Sequence, residues 1–173
     1  MKRILSAILL CAALAVPAFA DPSRAEAKKS TTTIKISGKP ATGPMGIGIF
    51  LGQPAGLTFE IDLSSSSWID FKAAWDLAGG NSGYSIQLQG NYEYAFPGMI
   101  AIEAETLTPF FGAGAFVTIY DGGISLGARA PGGVSYRFRT IPLELFLEIG
   151  LDVYLFPGFD IGASGGLGAR YRF

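Results

Sequence analysis

Leu143 to Leu155 reads LELFLEIGLDVYL, and every second residue in it is aliphatic: Leu143, Leu145, Leu147, Ile149, Leu151, Val153 and Leu155. Between them stand Glu144, Phe146, Glu148, Gly150, Asp152 and Tyr154. A strand alternates its side chains between two faces. One face here is therefore unbroken hydrocarbon, and the other carries three carboxylates. The alternation lasts 13 residues. Ordinary strands have about 5 to 6 residues and membrane-crossing strands about 9 to 11. A soluble sandwich rarely needs so long a buried face. A bilayer accepts the aliphatic face as its solvent, and the acids then point into a barrel interior.

The same alternation recurs along the chain. MGIGIFL puts Met45, Ile47, Ile49 and Leu51 on one face, and LTFEIDL puts Leu57, Phe59, Ile61 and Leu63 opposite Thr58, Glu60 and Asp62. WIDFKAAWDL sets Ile69, Phe71 and Trp75 against Trp68, Asp70, Lys72 and Asp76. YSIQLQGNYEYAF sets Tyr84, Ile86, Leu88, Tyr92 and Tyr94 against Gln87, Gln89, Asn91 and Glu93. TPFFGAGAFVTIY is less decisive, because both faces are small or apolar. SLGARAPGGVSYRF carries Arg129 and Arg137 on one face and has Pro131 inside it, where a missing amide donor predicts a bulge or local break. FDIGASGGLGARYRF ends the series, with Asp160, Arg170 and Arg172 on the inner face. With the opening stretch this makes eight strands, separated by the turn-like pieces QPAG, SSSS, AGGNSG, DGG and PGF. An even number of antiparallel hairpins closing on itself leaves no open edge, as a bilayer requires. The predicted fold is all-β, an eight-stranded antiparallel transmembrane β-barrel over residues 45–173. The 24 glycines and 49% hydrophobic content fit that class.

MKRILSAILLCAALAVPAFA opens the chain with Lys2 and Arg3, an apolar run and Ala18-Phe19-Ala20. These are the n-region, h-region and cleavage site of a signal peptide, with cleavage expected after Ala20 following Sec-type export. An uncleaved anchor fits the short apolar run less well. A lipoprotein site at Cys11 would want a small residue before it, and Leu10 stands there. Cys11 is the single cysteine, so cleavage leaves a chain with no disulfide and no thiolate chemistry. Residues 21–44 are polar and read as a tail, in which Thr31 to Ser37 could add a short strand. Without Lys2 and Arg3, the 13 basic residues fall to 11 against 14 acids, which favours neither nucleic acid nor an anionic surface. No apolar run of 18 residues follows Ala20.

The inward faces carry nine acids: Glu60, Asp62, Asp70, Asp76, Glu93, Glu144, Glu148, Asp152 and Asp160. Five bases accompany them: Lys72, Arg129, Arg137, Arg170 and Arg172. Eight strands leave an interior wide enough for side chains or one small ligand. The expected result is a salt-bridged plug, and the competing reading is a narrow cation-preferring pore. Pairing Phe138 with Leu143 sets Arg137 opposite Glu144 and Arg129 opposite Asp152. Pairing Leu155 with Phe159 sets Glu144 opposite Arg170, so Glu144 lies between two arginines. Trp68, Trp75, Tyr84, Tyr94, Phe96, Tyr171 and Phe173 sit near strand ends and suit interfacial girdles. Phe146, on the lumen face, should accept an arginine better than Leu147 if the lumen has room.

Several pieces together resemble a family of small, spirochaete-type outer-membrane barrels with an OmpA/OmpX-like transmembrane fold. They are LGQPAGL (51–57), FFGAG (110–114), LGARAPGGVSY (126–136), PLELFLEI (142–149) and GGLGARYRF (165–173). The resemblance covers nearly all the chain from Met45 on. It implies an outer-membrane barrel and carries over no catalytic residue. The final RYRF also resembles the assembly signal of outer-membrane barrels, with Phe173 last and Tyr171, Ala169 and Leu167 at alternate positions. The partners so implied are outer-membrane lipid and the barrel-assembly machinery. One departure stands out. With both ends periplasmic, the outer connections (53–56, 78–83, 121–124 and 157–158) are all short, and the longest, about Pro97 to Leu107, is periplasmic. Bacterial barrels usually show the reverse. Either Thr31 to Ser37 joins the sheet and shifts the count, or little surface faces outward.

Barrel enzymes such as lipid A acyl-modifying enzymes, phospholipases and omptin-type proteases rely on a histidine for proton transfer. This chain has none. The sequence therefore gives no catalytic, cofactor-binding or metal site: it lacks His, mature Cys and an acidic calcium loop. GASGGLG is no phosphate loop, since no helix follows it. The functional expectation is a non-enzymatic structural or surface-interaction barrel. The alternatives are a narrow cation channel, and a soluble lipocalin-type carrier, which would need an apolar lumen and a polar exterior.

Overall fold

The computed structural model describes residues 41–75, 85–102 and 105–173. The signal peptide, most of the tail with Thr31 to Ser37, the connection 78–83, Asp76 and Tyr84 lie outside these residues.

The described elements are all strands. They are β1 (Met45–Gln53), β2 (Ala55–Ser64), β3 (Ser67–Trp75), β4 (Ser85–Ala95), β5 (Ile100–Ile102), β6 (Glu105–Tyr120), β7 (Gly123–Arg137), β8 (Leu143–Phe156) and β9 (Asp160–Arg172). Every pairing is antiparallel. β1 pairs with β2 on one side and β9 on the other, and β4 pairs with both β3 and β6. The ring β1-β2-β3-β4-β6-β7-β8-β9 thus closes on itself as an eight-stranded barrel. β5 stays outside the ring and pairs with the start of β6 through Ile100↔Leu107, so part of the long connection is a hairpin arm. Main-chain bonds from Met45 N to Phe173 O (3.2 Å) and from Phe173 N to Met45 O (2.9 Å) seal the seam between β1 and β9.

Register follows the pleat. Arg137 faces Glu144 and Arg129 faces Asp152 across β7 and β8, and Glu144 faces Arg170 across β8 and β9. Each tight turn fixes which residues oppose, and a one-residue slip would put every aliphatic side chain into the lumen. Pro131 does not break β7. It keeps its place opposite Gly150, and the ladder to β6 skips Pro131 and Ala130 before resuming in the same register. A proline without an amide loses bonding on one side only. The irregularity between β7 and β8 falls at Leu126/Gly127.

The two faces differ as completely as their composition. On β8, Ile149 is 71% exposed while Glu148 beside it is 0% exposed. Ile47, Leu51, Leu57, Phe71, Leu88, Phe111, Leu147, Leu151 and Ile161 are likewise exposed, which makes the outer wall aliphatic and aromatic. Trp75, Tyr94, Tyr171 and Phe173 lie on that wall, as girdle residues would. Trp68 does not. It is buried inside with Ala95 and Phe110 at the end of the lumen nearer Phe173, its ring edge-on to Phe110 at 5.5 Å. Its even position on β3 puts it with Asp70 and Lys72.

Candidate functional site: the charged lumen

Alternation delivers the charges to one enclosed space, where they form a chain. At the end near Phe173, Arg172 of β9 reaches Glu60 Oε1 at 2.5 Å, Glu144 Oε2 at 3.0 Å and Asp62 Oδ2 at 2.5 Å. Arg170, one turn of the pleat further in, reaches Glu60 Oε2 at 2.5 Å and Asp70 Oδ1 at 2.7 Å. It also donates to Thr58 Oγ1. Arg137, less buried than the others, donates to Glu60 and to both oxygens of Asp62.

Asp70 continues the chain to Lys72. The Lys72 ammonium donates to Glu148 Oε1 at 3.0 Å and Oε2 at 2.8 Å. Glu148 also accepts from Arg129 Nη2 at 2.9 Å, and Arg129 Nη1 ends the series on Asp152 at 3.1 Å and Ser164 Oγ at 2.6 Å. The alternation of charge runs from Asp62 to Asp152 and links β2, β3, β7, β8 and β9. Charges taken out of water persist only when paired and hydrogen-bonded, and pairing of this kind is what this chain supplies.

Aromatic rings fill the middle of the lumen. Phe50 and Phe146 stack at 5.9 Å, and the Arg170 guanidinium lies 3.7 Å from the centre of the Phe146 ring. A Cβ at Gly168 would run into that ring, so the glycine is what lets Phe146 lie flat against β9. Phe146 is fully buried among these rings and Arg170, so the condition for accepting an arginine there, room in the lumen, is not met. A polar cavity of about 130 Å³ lies at the end away from Phe173, lined by Gln53, Ser85, Gln87, Thr118, Asp152 and Ser164 among others.

All ten residues singled out from the sequence (Glu60, Asp70, Lys72, Arg129, Arg137, Glu144, Glu148, Asp152, Arg170 and Arg172) lie inside and touch one another. Asp62 joins them at the rim. Asp160, expected inward, is exposed at the β8–β9 turn, where its Oδ1 accepts from Ile161 N at 2.9 Å. Strand reasoning set Arg137 and Arg170 beside Glu144. The side chains instead give Glu144 its shorter contacts to Arg172 and to Ser135 Oγ, at 2.6 Å, and leave Arg137 and Arg170 at 3.5 and 3.6 Å. The contacts across the lumen, Glu60 with Arg137, Arg170 and Arg172, were not visible in nearest-strand pairing.

Tyr171 and Phe173 lie outside this network, stacked at 6.4 Å on the outer wall.

The barrel superposes on the crystal structure of the N-terminal β-barrel domain of Pseudomonas aeruginosa OprF with a TM-score of 0.56. The two chains are 14% identical, and the match covers 75% of this chain and 96% of that one. The fold is the OmpA-like barrel. No family model and no curated protein sequence matches the chain.

Proposed function

We propose that this protein is a small non-enzymatic barrel of the outer membrane, with a structural or surface-interaction role and a lumen closed by its own ion pairs. The observation that carries this reading is the polarity of the ring. A continuous apolar wall faces out, and Glu60, Asp70, Glu144, Glu148, Arg170 and Arg172 are buried within. A bilayer suits such a wall, and water does not. The polarity is opposite to that of a soluble lipocalin-type carrier. The OmpA-like fold and the pieces that resemble spirochaete-type barrels agree with an outer-membrane setting, reached through the signal peptide. Membrane lipid and the barrel-assembly machinery are then its partners. The absence of histidine supports a non-enzymatic role.

Fractionation tests the setting. The protein should stay with carbonate-washed outer membranes and run faster on SDS gels before boiling than after. Recovery of native protein in the soluble fraction would overturn the proposal.

The narrow cation channel is a second reading, favoured by one observation. Seven described acids (Glu60, Asp62, Asp70, Glu93, Glu144, Glu148 and Asp152) face five bases in the lumen. Planar-bilayer recording separates the two: a closed lumen gives no steady conductance, and a cation-selective current would favour the channel.

A further inference from the structure

Among the described residues Glu93 is the buried lumen acid with no basic side chain within ion-pair distance. Its side chain is 1% exposed. Oε2 accepts from Trp68 Nε1 at 2.5 Å, and Oε1 accepts nothing. Two residues back on the same face of β4, Asn91 is as deeply buried and leaves both amide atoms unbonded. Gln89, two residues further back, leaves its Oε1 free. Native interiors rarely leave such atoms without a partner, so a run of them marks a place for something else.

The surroundings say what that something is. Asn91 lies directly opposite Asp70 in the β3–β4 ladder. Carboxylate oxygens of Asp70, Glu93 and Glu148 lie within 4.8 Å of one another. Lys72 donates to Asp70 and Glu148 and forms no ion pair with Glu93. The free atoms able to ligate a metal are carboxylate and amide oxygens, the ligand type of hard cations such as Ca²⁺ and Mg²⁺ rather than of zinc or copper. Two positive charges would also balance the two-acid excess of the described lumen.

We propose that Glu93, with the amide oxygen of Asn91, anchors a site for one Ca²⁺-like cation on the β4 side of Lys72. Asp70 and Glu148 each keep an oxygen near it, and water fills the rest of its shell. Gln87, on the same face of β4, lines the 130 Å³ cavity toward the end away from Phe173. Toward Phe173 the buried Trp68–Phe110–Ala95 cluster adjoins Glu93 through the Trp68 indole. No loop motif announces this site, because its ligands sit at alternate positions of one strand. The proposal depends on the barrel fold and not on its membrane setting.

Trp68 makes the test direct, because its indole touches Glu93. The full chain is refolded in detergent with Trp75→Phe, which leaves Trp68 as the only tryptophan. Terbium is then titrated in while the indole is excited. The proposal expects saturable terbium emission that Ca²⁺ displaces and Na⁺ at matched ionic strength does not. Glu93→Gln should remove the signal, and Asp160→Asn should leave it unchanged. Absence of saturable emission overturns the site, with a proton on Glu93 and ordered water as the replacement. Emission that survives Glu93→Gln overturns it too. If that variant does not refold, Asn91→Leu takes its place, and undiminished emission from it counts against the site in the same way.

Discussion

Arg170 and Glu60 stand on strands that do not pair, yet their side chains meet at 2.5 Å. β1 lies between their strands and carries Gly46 opposite Glu60 on one side and Arg172 on the other. A Cβ at Gly46 would sit 3.1 Å from Arg172 Nη1 and 3.3 Å from Arg170 Cδ. The arginines cross the inner surface of β1 because that surface is bare.

Gly46→Val should therefore push both arginines off their path to Glu60. Overpacking of a filled interior costs about 1 to 3 kcal/mol, and the loss should appear as a lower urea midpoint in detergent. Gly158→Ala, where a Cβ meets nothing within 4 Å, should change little. Equal midpoints for the two variants would mean that the arginines have another route.

Glu144 should be a stability residue, and its coupling should follow distance. Removing one partner of a buried ion pair costs about 3 to 5 kcal/mol, less where other arginines and Ser135 Oγ adjust. Double-mutant cycles with Glu144→Gln should give a larger coupling to Arg172→Gln, at 3.0 Å, than to Arg137→Gln, at 3.5 Å and 32% exposed. The reverse order, or strict additivity in both cycles, would remove Glu144 from the centre of the network.

The faces of β8 give a paired prediction. Leu147→Arg puts a charge on the outer wall and should cost about 2 to 4 kcal/mol in a bilayer, with a smaller cost in detergent. Phe146→Ala empties the site under Arg170 and should cost about 3 to 5 kcal/mol in either medium. Unfolding titrations in lipid and in detergent check this, and a medium-independent loss for Leu147→Arg would contradict the assignment.

Phe173 contributes two main-chain bonds to the seam and a ring to the outer wall. Phe173→Ala keeps the bonds and removes the ring. If the ring of Phe173, with Tyr171, serves assembly, this variant should insert poorly in cells and still refold when purified. The heat-shifted fraction on gels from both sources measures the difference. Normal insertion in cells would assign the ring to packing alone.

What was legible beforehand has a physical cause. Period-two alternation tells the two faces of β8 apart, and short turns transmit register from one strand to the next. Arg137 opposite Glu144 and Glu144 opposite Arg170 could be read from residue counts alone. The contact of Glu60 with Arg170 could not, because it depends on how the ring closes across Gly46. The place of Trp68 near a strand end suggests the interface, although its parity sets it beside Asp70 in the lumen. Tolerance at Phe146 hangs on room in the lumen, and spacing says nothing of how full a lumen is. Glu93 stood among nine inward acids with no sign that it, of the described ones, would lack a base.

The central claim is that one wall of this barrel faces lipid while the other encloses paired charge. The chain has two tryptophans, Trp75 on the outer wall and Trp68 inside. Quenching by brominated lipids, measured on the Trp68→Phe and Trp75→Phe variants reconstituted in vesicles, reads both walls at once. Trp75 should be quenched strongly and Trp68 hardly at all. Strong quenching of Trp68, or none of Trp75, would contradict the account.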